Sequence, residues 1–191
     1  MTTDFGRPRD PRIVGAVLEA TVALLGETGY AELSVDAIAR RAGTSKPAIY
    51  RRWPSKAHLV HEAVFPLGEA TELPDTGSLA GDVRAMVRRS ADVLTTPAAG
   101  AALIGLVGEL AADPTLHTAL LQRFSGILSQ GLADRLADAV ARGEVRPDAS
   151  ADELVEAVAG ITFFALLTHG PALDDAWVDR TATLITRGIS A

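Results

Sequence analysis

Apolar residues recur three and four positions apart along almost the whole chain, which is the spacing of one face of an α-helix. A short example is formed by Val35, Ile38 and Ala39. Ser34 stands just before them and is a good N-cap, while Gly43 follows and can take the left-handed conformation that closes a helix. The pattern predicts a short helix that ends in a tight turn.

A second short helix is predicted directly after this turn. Thr44 and Ser45 offer its N-cap, and a proline is tolerated at position 47 because the first turn of a helix has no partner for its N–H. Ile49 and Trp53 are four apart and form the predicted buried stripe. The residues left to face outward or sideways are Lys46, Pro47, Ala48, Tyr50, Arg51 and Arg52. Cations and a tyrosine on an exposed face suit phosphate oxygens and base edges.

Two helices joined by a glycine-containing turn, with a basic second helix, are typical of a DNA-binding helix-turn-helix. A longer amphipathic helix is predicted before them over 11–28, with Gly29 as its stop, and Ser55 caps a fourth helix that ends near Phe65. The first helix supplies core residues to which we assign no chemistry: Ile13, Val17, Thr21, Leu24 and Leu25.

Further helices are predicted at 78–95, 98–112, 113–142, 150–168 and 174–189. The chain is therefore expected to be all-α, with no strand. We expect a flexible arm at 1–10, a three-helix helix-turn-helix domain at 11–65, a linker rich in Pro, Gly and acidic residues at 66–77, and a larger helical domain at 78–191.

Charge is distributed unevenly between these two predicted domains. Residues 1–65 carry nine Lys and Arg against seven Asp and Glu, whereas residues 66–191 carry nine against seventeen, within a total of −6. A basic end and an acidic body that DNA repels are consistent with DNA binding at the first domain only.

The motifs of the first domain resemble those of the tetracycline repressor (TetR) family of one-component transcriptional regulators. The resemblance covers residues 11–65 and rests on Gly29-Tyr30, on SVDAIARRAG at 34–43, on SKPAIY at 45–50 and on WPSK at 53–56. It implies that Tyr50 and Lys56 contact backbone phosphates and that Lys46, Pro47, Ala48 and Arg52 lie nearest the bases. The full set of predicted DNA-binding residues is Thr44, Ser45, Lys46, Pro47, Ala48, Tyr50, Arg51, Arg52 and Lys56.

The resemblance also implies partners: a double-stranded operator, a small-molecule effector that releases it, and a second copy of the chain. The last two helices are apolar on more than one face, as in a dimer formed by a four-helix bundle. We predict interface residues Leu154, Val158, Ile161, Trp177, Leu184 and Ile185. Predicted lining residues of the effector pocket are Met86, Glu109, Leu121, Phe124, Leu128, Phe163 and Phe164, which favour a hydrophobic or aromatic ligand.

Three features leave alternatives open. Glu109 is the only charge in an apolar helix, and is either a pocket group or a surface group paired with an arginine. His58 and His61 are three apart with Glu62 adjacent, but two histidines without further ligands are usually helix surface, so we predict no metal. Gly6-Arg7-Pro8-Arg9 in the arm resembles a minor-groove hook and is otherwise a disordered tail.

No catalytic motif is present, so we predict no enzyme activity and no cofactor. The rival class is a helical binding protein or enzyme without a DNA role, which would leave the basic segment 46–56 unexplained. Cysteine is absent, and we find no secretory signal and no apolar run expected to span a bilayer. We therefore expect a cytoplasmic protein without a membrane partner.

Overall fold

The computed structural model describes residues 11–66 and 75–191, so the arm at 1–10 and the central part of the predicted linker lie outside the described residues. The first four helices are α1 Pro11–Glu32, α2 Val35–Arg41, α3 Lys46–Tyr50 and α4 Lys56–Val64. The later helices are α5 Leu79–Leu94, α6 Pro97–Ala112, α7 Pro114–His117, α8 Arg123–Ala141, α9 Ala151–His169 and α10 Asp175–Ile189. The all-α prediction is confirmed for the described part.

Regular helix is broken at Gly29, where a break was predicted, because Gly29 takes φ 74° and ψ 175°. Helical residues resume after this kink, and α1 ends at Glu32. Residues other than glycine rarely adopt this backbone conformation, so the kink favours a glycine at position 29. The kink redirects the last residues of α1, including Tyr30.

The predicted single helix at 113–142 is interrupted. A short helix α7 is followed by a π-helical segment over Thr118–Gln122, and regular α-helix resumes at Arg123. A π segment widens the turn to an i→i+5 hydrogen-bond pattern, which the spacing of apolar residues does not reveal.

The first hydrophobic core joins the N-terminal helices to α6. From α1, α3, α4 and the turn between α3 and α4 it includes Val17, Leu25, Ile49, Trp53 and Leu59, all buried. From α6 it includes small and branched apolar residues, namely Ala98, Ala99, Ala102, Leu106 and Leu110. Alanines allow α6 to approach the N-terminal helices closely. The DNA-facing end and α6 therefore share one core, although they lie on opposite sides of the predicted linker.

The second hydrophobic core is formed by α5, α8, α9 and α10. Its fully buried members include Val83, Val87, Leu132 and Val178. The chain bends by 87° between α5 and α6, so these two consecutive helices belong to different cores. A buried polar group also marks this half: Asp82 accepts hydrogen bonds from the backbone N and the hydroxyl of Thr76 at 2.8 and 2.9 Å.

Helix α1 also bears on the expectation that no segment spans a membrane. By length and composition alone, Arg12–Glu32 is apolar enough to cross a bilayer. In the structure one face of this helix, with Val17 and Leu25, is buried in the first core. Burial in the first core accounts for this one face, and 28% of the apolar window is buried.

Candidate DNA-binding surface

The two helices of the predicted helix-turn-helix are held by side-chain caps. Ser34 accepts a hydrogen bond from the backbone N of Ala37 at 3.2 Å, and Ser45 accepts one from that of Ala48 at 3.3 Å. Between them Gly43 takes a positive φ of 64°, and Thr44 N donates to the Ala39 carbonyl at 2.9 Å. The turn is therefore closed by local hydrogen bonds, as the sequence predicts.

Helix α3 buries the predicted stripe and exposes the predicted polar face. Ile49 and Trp53 are almost fully buried in the first core. The backbone N of Trp53 donates to the Ile49 carbonyl at 3.0 Å, so helical bonding continues beyond the regular bounds of α3. The side chains of Lys46, Tyr50, Arg51 and Arg52 are exposed, while those of Thr44 and Ala48 are half-buried.

Lys46 is paired with a carboxylate of the preceding helix. Its ammonium donates a hydrogen bond to Asp36 Oδ2 at 2.7 Å. This hydrogen bond, more than the simple charge attraction, raises the pKa of Lys46. Both side chains are about half exposed, so the ion pair contributes little to stability and can exchange for a phosphate or a base.

Arg52 is oriented by Glu62 of α4. Arg52 donates from Nη2 to Glu62 Oε1 at 3.0 Å, while the indole N–H of Trp53 donates to the other carboxylate oxygen at 2.9 Å. The guanidinium also lies 5.2 Å from the centre of the Trp53 ring. The Glu62 carboxylate thus binds both the buried Trp53, which follows α3, and Arg52, an exposed cation predicted to read bases.

Lys56 is in the first turn of α4 and is half-buried. Its N-cap, Ser55, accepts a hydrogen bond from the backbone N of His58 at 3.4 Å. The ammonium of Lys56 donates to the carbonyl oxygen of Tyr30 at 3.1 Å. The Lys56 ammonium, which the family resemblance assigns to a backbone phosphate, is therefore hydrogen-bonded to a residue near the end of α1.

The residues that hold these cations are the ones that sequence reasoning misses. Asp36 and Glu62 each neutralise one predicted DNA contact, and the Tyr30 carbonyl binds a third. Each carboxylate is ten residues from the cation it pairs with, a separation that leaves no periodic signal. In the sequence Glu62 stands out only as a neighbour of two histidines.

His58 and His61 are not arranged as two ligands of one metal ion. His58 Nδ1 lies 2.9 Å from Ser55 Oγ, whereas His61 is buried with its ring 5.5 Å from that of Phe65. Burial, and then the nearby charge of His58, lower the pKa of His61. Within 11–66 and 75–191, no group of three or more His, Cys, Asp or Glu side chains has an arrangement that could hold a metal ion.

The predicted effector-pocket residues are dispersed. Met86 is buried in the second core, Leu128 and Phe163 are half-buried, and Leu121 and Phe164 are exposed. The side chain of Phe124 lies outside the described residues.

Glu109 is half-buried on α6. It lies beside the hydroxyl of Tyr30, which is buried and makes no hydrogen bond of good geometry. Burial is the main cause that raises the pKa of this hydroxyl, and the Glu109 carboxylate adds to it.

An open cavity of about 530 Å³ lies where α1, α4, α5 and the start of α6 meet. Its walls are mostly apolar, and they include Val22, Ala63, Val93 and Ala98, with Arg89 as a charged member. None of the predicted pocket residues with described side chains lines it. A cavity of this size suits a small ligand.

Three of the six predicted interface residues are buried within a single chain. Leu154, Val158 and Ile185 are at most 6% exposed because α5 and the neighbouring helices already cover them. A partner subunit has almost no surface to cover at these positions. Ile161 and Trp177 are half-buried, and only Leu184, at 65%, is largely exposed.

Other apolar residues of the same two helices do face outward. Phe164 and Leu167 of α9 are 66% and 51% exposed. Apolar spacing identifies a helix face that is covered, but it does not distinguish cover by the same chain from cover by another. The exposed apolar surface of α9 and α10 therefore lies at Phe164, Leu167 and Leu184.

A capped helix-turn-helix with an exposed cationic second helix, followed by a helical bundle, defines a helix-turn-helix DNA-binding regulator. Residues 17–63 match the family model "Bacterial regulatory proteins, tetR family", and residues 73–185 match "Tetracyclin repressor-like, C-terminal domain". The chain belongs to the TetR family of transcriptional regulators, which are not enzymes.

Curated relatives and solved structures agree with this assignment. The chain is 30% identical to the HTH-type transcriptional regulator YdeS of Bacillus subtilis, over all of this chain and 96% of the relative. It is 33% identical to a DNA-binding transcriptional repressor TetR of Mycobacteroides abscessus, over 86% and 87% of the two chains. The TetR family regulator SCO0332 superposes with a TM-score of 0.71 and 32% identity, over 94% of this chain and all of the other.

Proposed function

We propose that this regulator is a homodimeric repressor that binds a palindromic operator and releases it when a small apolar molecule binds. The observation that carries the proposal is the exposed cationic face of α3 on a rigid, capped turn. One short helix buries too little surface for specific binding, whereas two copies about one duplex turn apart, roughly 34–36 Å, read a palindrome. Repression is suggested by the name of the mycobacterial relative, a DNA-binding transcriptional repressor.

The first experiment is selection of bound sequences from a random duplex pool, followed by a salt titration on the selected sequence. We expect a palindrome whose binding weakens steeply with salt, because each phosphate contact releases counterions. Failure to select any sequence, with folded and dimeric protein, would favour a helical binding protein or a regulator that needs its ligand to hold DNA.

The DNA-binding residues divide into two predicted roles. Lys46→Ala and Arg52→Ala should weaken specific binding and relax the sequence preference, since these side chains lie nearest the bases. Lys56→Ala should weaken binding to all sequences and reduce the salt slope by about 0.9 for each phosphate that the variant no longer neutralises. Equal effects of the three variants on selected and random duplexes would contradict the division.

The dimer forms through the exposed apolar residues of α9 and α10. Phe164→Asp and Leu184→Asp should yield monomers in sedimentation, because a carboxylate at a dry interface loses its hydration. Ile104→Asp is the matched control, since Ile104 is 61% exposed but belongs to α6 and not to either of these helices. A dimer that persists in both variants at the concentration used for the wild type would argue against this surface.

The effector binds in the cavity between α1, α4, α5 and α6. A ligand there touches both the DNA-facing helices and α5, so it can favour one arrangement of them over another. A near-complete switch needs about 10⁴-fold preference for the arrangement that does not bind DNA. Ala63→Leu, which fills part of the cavity, should abolish release by any effector found by screening for loss of operator binding. Release that is unchanged in this variant would place the effector elsewhere, among the C-terminal helices that the sequence favours.

The site of action follows from the operator. We expect the protein to act in the cytoplasm, where bacterial DNA is accessible, and to control genes close to its operator. Fractionation of cells and recovery of bound chromosomal fragments would test both expectations.

A further inference from the structure

The ammonium of Lys56 is held by two features of one residue. It donates a hydrogen bond to the Tyr30 carbonyl oxygen at 3.1 Å and lies 4.1 Å from the centre of the Tyr30 ring. Because an ammonium has three N–H donors, two remain for other acceptors. The cation–π attraction favours one position, so the amine is placed before DNA arrives.

Tyr30 is in turn held by both sides of the first core. Tyr30 directly follows the kink at Gly29 and is only 7% exposed. The ring lies against α6 at Gly105, where an added Cβ would come within 2.2 Å of the Tyr30 Cδ1 atom and 2.5 Å of Cγ. Its hydroxyl lies near Glu109, one turn further along α6. The position of Tyr30 therefore depends on that of α6.

We propose that Tyr30 is a positioning residue that holds the Lys56 ammonium at the phosphate-binding end of α4, and that α6 sets its position. A displacement of α6 then moves the ring and the carbonyl, and with them one cation at the DNA surface of each protomer. The inference rests on the proposed contact between Lys56 and a phosphate.

Glycine substitutions in α6 test the inference without altering the DNA-facing helices. Gly105→Ala places a methyl group against the Tyr30 ring, which must shift because the near atoms of the ring are backed by the core. Gly108→Ala is the matched control, since Cβ at Gly108 would meet nothing within 4 Å. Both replacements gain the helix propensity of alanine, so only the displacement of Tyr30 distinguishes them.

The first readout needs no DNA. The chain contains only two lysines, Lys46 and Lys56, so lysine labelled with ¹³C at Cε gives two signals, and the one from Lys46 serves as an internal reference. The face of the Tyr30 ring should shift the Lys56 methylene protons upfield. We expect Gly105→Ala to reduce this shift and Gly108→Ala to preserve it, with the Lys46 signal unchanged in both. An unchanged Lys56 signal in Gly105→Ala would overturn the inference.

The second readout is the salt dependence of binding to a duplex. If Gly105→Ala withdraws Lys56, the slope of log K against log salt should fall by about 0.9 for each protomer, which a loss of stability alone would not produce. In a Lys56→Ala background, Gly105→Ala should change the slope no further. A slope equal to that of Gly108→Ala would overturn the link between α6 and DNA.

Tyrosine variants separate the parts of the interaction. Tyr30→Phe keeps the ring and the carbonyl, so the Lys56 signal and the salt slope should remain near those of the wild type. Tyr30→Leu keeps apolar volume without a ring and should lose the upfield shift, and circular dichroism establishes that it is folded. If Lys56→Ala leaves the wild-type slope unchanged, the phosphate role of Lys56 fails, while the labelled lysine still decides whether Tyr30 positions the amine.

Discussion

The two hydrophobic cores differ in how they relate to the order of the chain. The second core joins α5 to the three long helices at the C-terminus, all from one side of the predicted linker. The first core takes α1 to α4 from one side and α6 from the other, across the 87° bend between α5 and α6. The chain therefore passes from the second core to the first near Thr95 and returns to the second after α7, whose Leu116 belongs to the first core. The linker at 66–77 remains the predicted domain boundary. Effector-driven motion of α6 would thus act directly on the core of the DNA-facing helices.

The largest expected loss of stability comes from shortening one buried leucine in each core. Leu106 and Leu132 are almost fully buried, in the first and second core respectively, and replacement of either by alanine should cost about 2–5 kcal/mol. The chain has two tryptophans, Trp53 in the first core and Trp177 packed against the second. With Trp177→Phe or Trp53→Phe as background, urea unfolding followed by fluorescence reports one core at a time.

We expect Leu106→Ala to lower the midpoint reported by Trp53 more than that reported by Trp177, and Leu132→Ala to do the reverse. The assignment of α6 to the first core would be contradicted if Leu106→Ala affected mainly the Trp177 transition. Identical shifts at both tryptophans would mean that the two cores unfold as one cooperative unit.

Replacement of polar side chains should lower the stability less than these core substitutions. The loss should again differ between the N-terminal helices and the second core. Asp82, buried at the start of α5, accepts two hydrogen bonds from Thr76. Its Oδ2 atom also lies 3.5 Å from Nη1 of Arg135. Asp82→Ala removes both hydrogen bonds and the ion pair with Arg135, and should cost about 1–3 kcal/mol in urea unfolding. Glu27→Ala removes an ion pair with Arg41 whose N–O distance is 2.7 Å. Because both side chains are exposed, this variant should lose clearly less stability than Asp82→Ala. A larger loss from Glu27→Ala would reverse this ranking.

The smallest effect is a pH dependence confined to the first core. Because burial lowers the pKa of His61 from the ordinary value of 6.5, the unfolded chain takes up this proton at a higher pH than the folded chain. Stability should therefore fall as the pH is lowered below about 6.5, and the fall should end once the folded-state pKa is passed. Glu62 opposes the shift, but less strongly.

The measurement is the Trp53 unfolding midpoint at intervals from about pH 7.5 to about pH 5.0, a range that spans the ordinary histidine pKa. His61→Gln is the control, and its midpoint should depend less steeply on pH. An equal slope in both proteins would assign the dependence to other groups.

The same contrast explains how far sequence alone predicts this molecule. Ser34, Gly43, Ser45 and Ser55 act on backbone groups within a few residues, so their sequence positions suffice to predict the caps and the turn. Ile49 and Trp53 follow helical spacing and are buried as predicted. These features of the N-terminal region are local, and local features are the ones that sequence predicts closely.

Contacts between distant residues cannot be predicted in this way. Gly105 resembles any glycine of an apolar helix until Tyr30 is placed against it, and the carboxylates of Asp36 and Glu62 show no relation along the chain to the cations they bind. Leu154 and Ile185 have the same spacing whether their cover comes from α5 or from another subunit. Each of these depends on tertiary packing, which a period of 3.6 residues does not encode.

The ion pairs of α2 to α4 also bear on how the regulator would find the proposed operator. Lys46 and Arg52, which are proposed to lie nearest the bases, each pair with a carboxylate of the same chain in the free protein. A duplex without the correct base acceptors replaces these ion pairs less completely than the operator does. We expect encounters with random DNA to be brief, and Asp36→Asn to lengthen them in stopped-flow dissociation. Almost all sites in a chromosome are non-operator sequence. A short residence time on each of them therefore shortens the search for the operator.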